Sequence, residues 1–236
     1  MLVAAAVCPC PPLLVPEVAA GAAPELDAAR AACADALGVL AAARPDLLLV
    51  VGPAEETGTS PEGTPGDFRG FGVDAAVRLG AGAAGAEPQG VLPPSLAVAA
   101  WLLERTGWSD APIEGLGVGE PTTAERCIQT GREIAARAGR VALLVMGDAS
   151  ACRTLKAPGY LDERAEPFDA SVARALGSAD VPALKELDVA LARELQVSGR
   201  APWQVLAGAA EDADLTGALL YEDAPYGVGY LVATWS

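Results

Sequence analysis

The chain has 236 residues, with 31 acidic and 16 basic side chains and a net charge of −15. It contains no histidine, which excludes Ser/His/Asp and Cys/His nucleophile pairs, three-histidine zinc sites and two-histidine, one-carboxylate iron sites. The acidic balance and the lack of a Lys/Arg run also argue against nucleic acids and anionic membranes as partners.

Alternating apolar runs and helical patterns divide the chain into strands and helices. In chain order we predict a strand at 2–8, a helix at 25–43, strands at 46–52 and 71–79, a helix at 94–106, a strand at 112–118, a helix from Thr122, a strand at 141–147, helices at 168–177 and 182–197, a short helix from Pro202 and a strand at 228–234. The Gly- and Pro-rich composition of residues 52 to 72 predicts a long loop.

Three of these strands, at 2–8, 46–52 and 141–147, are continuously apolar rather than alternating, which is typical of central strands covered on both faces. Thr122 and Glu125 have the spacing of a capping box at the start of a helix. We therefore predict an α/β fold: one three-layer domain over residues 1–236 with a mostly parallel central sheet.

A literal dinucleotide fingerprint occurs at 80–85 (Gly-Ala-Gly-Ala-Ala-Gly). Its context fails, since a helix should open at the third glycine, yet prolines follow at 88, 93 and 94. We interpret this motif as structural.

In α/β folds of this kind the ligand crevice lies at the carboxyl ends of the parallel strands. The residues that follow the three central strands are therefore the candidate pocket residues, and their types allow thiol, carboxylate and hydroxyl chemistry. They are Cys10, Ala54, Glu55, Asp148, Ser150, Ala151 and Cys152. Thiols and carboxylates together can bind zinc. Only one residue separates Cys8 from Cys10, however, and this is poor spacing for two ligands of one metal. Two further cysteines, Cys33 and Cys127, are expected in the core.

The cellular compartment is suggested by the cysteines and the first residues of the sequence. Five cysteines in a chain of this length form neither a disulfide framework nor a set of CxxC pairs, which fits a reducing compartment. The apolar stretch 1–8 has no preceding basic segment, and prolines at 9, 11 and 12 make it too short to span a membrane. We expect a cytoplasmic protein without a membrane partner.

Several segments along the chain resemble a known family. They are Ala-Val-Cys-Pro-x-Pro-Pro-Leu-Leu-Val-Pro-Glu at 6–17, Pro45-Asp46 with its Leu/Val strand, Val-Met-Gly-Asp-x-Ser at 145–150, Ala-Pro-Gly-Tyr-Leu-Asp at 157–162, and Ala-Pro-Tyr-Gly-Val-Gly-Tyr at 224–230. On these segments the sequence resembles the class III extradiol ring-cleavage dioxygenases of the catalytic (B) subunit type, especially B-subunit-like proteins of actinobacteria.

The resemblance implies a B-subunit-like α/β fold and, in active members, non-haem Fe(II) held by two histidines and a glutamate, with another histidine as acid/base. At the matching positions this chain has Cys10 for the first metal histidine and Ala54 or Glu55 for the second. Ala151 occupies the acid/base position, and no acid lies at 199–204, where the carboxylate ligand is expected. Ordinary extradiol activity is therefore not expected, and neither is a bound cofactor.

Two hypotheses follow. In the first, the chain is a catalytically inactive relative, expected as a homodimer, that binds a small molecule or a protein partner. In the second, it is an enzyme with a remodelled Cys/carboxylate site near Cys10, Glu55, Asp148, Ser150 and Cys152, with Cys10 and Glu55 as the candidate ligands if the site holds a metal.

Overall fold

The structure is a computed structural model that describes residues 1–82 and 90–236. Nine strands are described: β1 Leu2–Cys8, β2 Leu47–Ala54, β3 Gly58–Ser60, β4 Pro65–Asp67, β5 Ala76–Arg78, β6 Ile113–Gly119, β7 Val141–Met146, β8 Gly217–Asp223 and β9 Tyr230–Trp235. The α-helices are α1 Pro16–Ala19, α2 Asp27–Ala42, α3 Pro94–Thr106, α4 Ala124–Ala135, α5 Ala165–Gly177, α6 Val181–Lys185, α7 Val189–Glu194 and α8 Arg200–Ala209.

A seven-stranded mixed sheet in the order β3-β6-β2-β7-β1-β9-β8 forms the centre of the fold. The four middle strands β6, β2, β7 and β1 are parallel to one another, whereas β3, β9 and β8 are antiparallel to their neighbours. The chain is thus an α/β protein in a single domain, and the predicted parallel sheet is its core.

Both faces of the central strands are buried. In β1, Ala5 and Val7 belong to the apolar cluster beneath α4, α5 and α8, whereas Ala4 and Cys8 belong to the opposite cluster, beneath α2 and α3. This arrangement explains why the strand is continuously apolar, because every side chain along it faces a layer of helices. The predicted core cysteines, Cys33 and Cys127, are also fully buried.

The structure departs from the sequence predictions in several places, and the predicted loop 52–72 contains the short strands β3 and β4. Two departures concern helices. The predicted helix at 182–197 is two helices, α6 and α7, because the Asp188 carboxylate accepts a hydrogen bond from the amide of Leu191 (3.0 Å) and starts a new helix there. The cap of α4 is Thr123, which accepts from the amide of Arg126, rather than Thr122, whose hydroxyl is 3.2 Å from that of Thr57.

Two further departures concern strands. The predicted strand at 71–79 is shortened to β5, since a 3₁₀ turn occupies Arg69–Phe71, and β5 pairs with β4 from the predicted loop. Strand β8 was not predicted because, at the edge of the sheet, its residues are exposed or only partly buried and show no alternation. The glycine motif at 80–85 lies partly outside the described residues.

No helix in the described ranges has the length and apolar character needed to cross a membrane.

Candidate functional site

The carboxyl ends of β1 and β7 are joined by hydrogen bonds between the segments that follow them. The amide of Gly147 donates to the carbonyl of Cys8 (3.0 Å), and the amide of Cys10 donates to Oδ1 of Asp148 (2.8 Å). These bonds continue the pairing of the two strands into their loops. Two residues predicted for the crevice, Cys10 and Asp148, therefore lie side by side.

The loop that precedes α8 closes over this pair. The amide of Asp148 donates to Oγ of Ser198 (2.9 Å), and the amide of Gly199 donates to the carbonyl of Asp148 (2.9 Å). The backbones approach so closely that a Cβ added to Gly147 would lie 2.4 Å from Cα of Gly199. Glycine at position 147 is thus a requirement of this contact.

Burial controls the ionisation of the groups in this cluster. Burial raises the pKa of Asp148 to about 7, although the amide of Cys10 partly opposes the shift. Cys10 is only 8% exposed, and burial together with the nearby Asp148 carboxylate raises the pKa of its thiol well above the usual value. Burial and then Asp148 also raise the pKa of Tyr230. In the cluster of Cys10, Asp148, Ser198 and Tyr230, burial therefore favours the neutral thiol and phenol, and the Asp148 carboxyl group changes its charge near pH 7.

Ser150 belongs to a separate buried network. Its amide and its hydroxyl donate to the two carboxylate oxygens of Asp169, at 2.9 and 2.7 Å, and Arg153 donates to Oδ2 of Asp169 at 3.2 Å. Asp169 is 1% exposed. Its carboxylate is stabilised by the positive charge of Arg153 and by the two hydrogen bonds from Ser150. Ser150 uses its hydroxyl to fix the loop after β7 onto α5.

The remaining predicted pocket residues bring little chemistry to the crevice. Ala54 is the last residue of β2, and Glu55 after it is exposed. Ala151 is buried, and its amide donates to the carbonyl of Leu195 (2.9 Å). The thiol of Cys152 is buried and donates to the carbonyls of Leu195 and Gly159 at 3.5 and 3.6 Å.

These residues do not fit an extradiol iron centre. Within residues 1–82 and 90–236 no three Cys, Asp or Glu side chains are grouped as metal ligands. The two potential donors that do lie together, Cys10 and Asp148, are fewer than the three protein ligands of the iron site that the resemblance implies.

A cavity of about 370 Å³ opens beside this cluster, between the ends of β2 and β6 and the start of α8. Its polar lining includes Ser198, Gln196, Arg193 and Arg200, and its apolar lining includes Val118. A larger groove of about 590 Å³ lies between α4 and the edge of the sheet. None of the predicted pocket residues lines either of these two cavities. The smaller cavity lies at the carboxyl ends of β2 and β6, where α/β folds bind ligands.

Sequence reasoning missed Ser198, Arg200, Asp169 and Tyr230 as site or network residues. For two of them, Asp169 and Arg200, the sequence contains a feature that indicates a special role. Asp169 lies on the apolar stripe of its helix, three and seven residues before the buried Val172 and Leu176, where a charge must find a buried partner. Arg200 starts a helix that is otherwise uncharged.

Comparisons with known proteins place the fold but no function. No protein-family model matches the sequence, and no curated protein does. Among solved structures, the uncharacterized protein JW3007 from Escherichia coli K12 is similar, with a TM-score of 0.55 and 15% sequence identity over 99% of each chain. The two proteins share an α/β fold along their whole length.

Proposed function

We propose that this chain is a catalytically inactive relative of the class III extradiol dioxygenases that binds a ligand at the carboxyl edge of its sheet. One observation carries the proposal: the positions of the family's metal ligands do not hold histidine in this chain, and a cavity lies near them. Where the resemblance calls for histidine, the chain has Cys10, Ala54 or Glu55, and Ala151. A cavity nevertheless lies close by, lined by Pro53, next to Ala54, and by Ser198, which accepts a hydrogen bond from the amide of Asp148.

The donor chemistry supports a binding role over ring cleavage. Extradiol cleavage requires a redox metal with open coordination positions and a group that moves protons near neutral pH. Ala54 and Ala151 offer neither a ligand nor a proton, and Glu55 is exposed at the end of β2. The Cys10 thiol also lies near the crevice, but burial keeps it protonated.

A second candidate, an enzyme with a remodelled site, is favoured by one observation. Asp148, with a pKa of about 7, has the ionisation of a general acid or base, and it lies beside the Cys10 thiol. In this alternative Asp148 would transfer a proton at the crevice, and Glu55 would take no part because its side chain is exposed. Conversion of a substrate by the wild type that Asp148→Asn abolishes and Glu55→Gln preserves would favour it.

The proposal is tested by incubating the anaerobically iron-loaded protein with a panel of catechols and following oxygen uptake and ring-cleavage absorbance. We expect no turnover above the rate of free Fe(II). A parallel thermal-shift screen of small metabolites should identify ligands that raise the melting temperature. Turnover of any catechol that depends on the folded protein would refute the proposal.

A further inference from the structure

The cavity beside the strand ends is lined by a buried cation that pairs with no carboxylate of residues 1–82 or 90–236. Arg200, the first residue of α8, is 4% exposed and lines the cavity. Its Nη1 donates to the carbonyl of Thr122 (2.7 Å) and to Oε1 of Gln204 (3.3 Å), and its Nη2 donates to the carbonyl of Glu120. All three acceptors are neutral.

No carboxylate of the described residues lies within 4.0 Å of this guanidinium. The Glu120 side chain pairs instead with the exposed Arg193 (3.6 Å). The nearby Cys127 has a raised pKa, since burial outweighs the opposing effect of Arg200, so its thiol does not supply a negative charge. Buried charges in proteins are almost always paired, and the missing counter-charge indicates an anionic ligand.

The free donors of Arg200 suit a carboxylate. A guanidinium has five N–H donors, and hydrogen bonds to the described residues use two on Nη1 and one on Nη2. The Nε hydrogen and one Nη2 hydrogen bond to no oxygen atom of these residues, and the guanidinium also interacts with the Cys127 thiol. An Arg side chain uses such a pair of N–H groups to bind a carboxylate with two parallel hydrogen bonds.

The rest of the lining favours a ligand with an apolar body. Pro53, Val118, Val197 and Ala201 contribute apolar surface, and Gln196 and Ser198 are uncharged. The acidic residue of the lining, Glu120, has its carboxylate paired with Arg193 at 3.6 Å. No side chain caps the start of α8. The first amide groups of this helix therefore add to the positive potential near Arg200. The volume of about 370 Å³ is at the lower end of the usual range for small-molecule pockets.

We infer that this cavity binds a small organic monocarboxylate, with the anionic head on Arg200 and the apolar body against Pro53, Val118 and Val197. The inference rests on the proposed function, since it assigns a ligand class to the same cavity. Arg193 is the second positively charged residue that lines the cavity. Its side chain can approach a bound anion once its ion pair with Glu120 breaks.

The test is isothermal titration calorimetry of the full chain with cyclohexanecarboxylate, its neutral isostere cyclohexanecarboxamide, and inorganic phosphate. We expect cyclohexanecarboxylate to bind at least ten-fold more tightly than either of the others. Equal affinity for the amide, tighter binding of phosphate, or no heat of binding with 20 mM carboxylate would overturn the inference.

Variants locate the site. Arg200→Gln should weaken carboxylate binding at least ten-fold, and the exposed Arg193→Gln, which does not disturb the core, should weaken it a few-fold. Arg126→Gln, on α4 in the other groove, is the matched control and should bind as the wild type does. Unchanged affinity in Arg193→Gln together with weakened affinity in Arg126→Gln would contradict the assignment even if Arg200→Gln does not fold. The catechol assay tests the proposed function separately, because its outcome does not depend on carboxylate affinity.

Discussion

The main-chain amide of Cys10 donates a 2.8 Å hydrogen bond to Oδ1 of Asp148. This bond ties the segment after β1 to the segment after β7 at the point where metal ligands are expected from the resemblance. Burial at this point raises the pKa of Asp148 to about 7. The crevice is thus organised by a carboxyl group that is about half protonated near pH 7 and accepts the Cys10 amide.

Asp148→Asn should change the pH dependence of stability. The folded-state pKa of about 7 lies above the ordinary 3.8, so the folded wild type binds more protons than the unfolded chain between these values and loses stability as pH rises from about 4 to 7. The asparagine variant keeps an acceptor for the Cys10 amide and lacks this loss.

We therefore expect the variant to match the wild type near pH 4 and to be more stable by roughly 1 to 4 kcal/mol at pH 8, measured by urea unfolding at both pH values. A difference in stability that is independent of pH would contradict the assigned ionisation of Asp148.

Asp169→Asn should destabilise the protein by about 3 kcal/mol. The substitution removes the buried negative charge that accepts from Ser150 and Arg153 and places amide hydrogens against two donors. Glu166→Gln is the matched control, because Glu166 contacts the same Arg153 at 3.8 Å from an exposed position and should cost less than about 0.5 kcal/mol. Equal destabilisation by the two substitutions in chemical denaturation would show that the network does not stabilise the loop after β7.

Glu211→Gln should destabilise the protein at neutral pH and not in acid. Hydrogen bonds from Arg132 and then Lys185 lower the pKa of Glu211 from 4.5 to about 2, and its side chain is 20% exposed. The stabilisation is present above about pH 4.5 and is lost as pH falls toward 2.

We expect a cost of about 1 kcal/mol at pH 7 that narrows below pH 4.5 in thermal unfolding, whereas the exposed Glu125→Gln should have little effect. A gap that widens in acid would be inconsistent with this ion pair.

Gly199→Ala should destabilise the fold strongly. A Cβ at this position would lie 2.3 Å from the ring of Trp203, which is fully buried and cannot move without repacking the core. We expect a loss of about 3 kcal/mol or more. Gly38→Ala is the control: it lies in α2 with open space around its Cβ position, and it should stabilise by about 0.5 to 1 kcal/mol. The two variants are compared by guanidinium unfolding, and similar stabilities would rule out the close packing of the loop before α8.

The sequence predicted the fold wherever burial imposes a pattern. The strands at 2–8, 46–52 and 141–147 were recognised because both their faces are buried, and α3 was predicted with its observed bounds, Pro94–Thr106. Strand β8 gave no such pattern because it lies at the edge of the sheet. Helix α6 ends at Lys185, and Asp188 caps the next helix through a single side-chain bond, which periodicity alone does not reveal.

For the candidate site, sequence reasoning found residues at the strand ends but not their partners. Cys10 and Asp148 were expected in one crevice because parallel strands end at the same edge. Ser198 and Arg200 follow an irregular segment after α7, and only the folded chain brings Ser198 onto Asp148. Ser150 was expected in the crevice, but its hydroxyl is used by Asp169, 19 residues further along the chain.

The most direct test of the central claim is the iron content of the wild-type protein after anaerobic incubation with excess Fe(II) and removal of unbound metal. If the crevice has lost its metal centre, elemental analysis will find well below one iron per chain, and a chelator will leave the melting temperature unchanged. One iron per chain, with a melting temperature that falls on chelation, would contradict the claim.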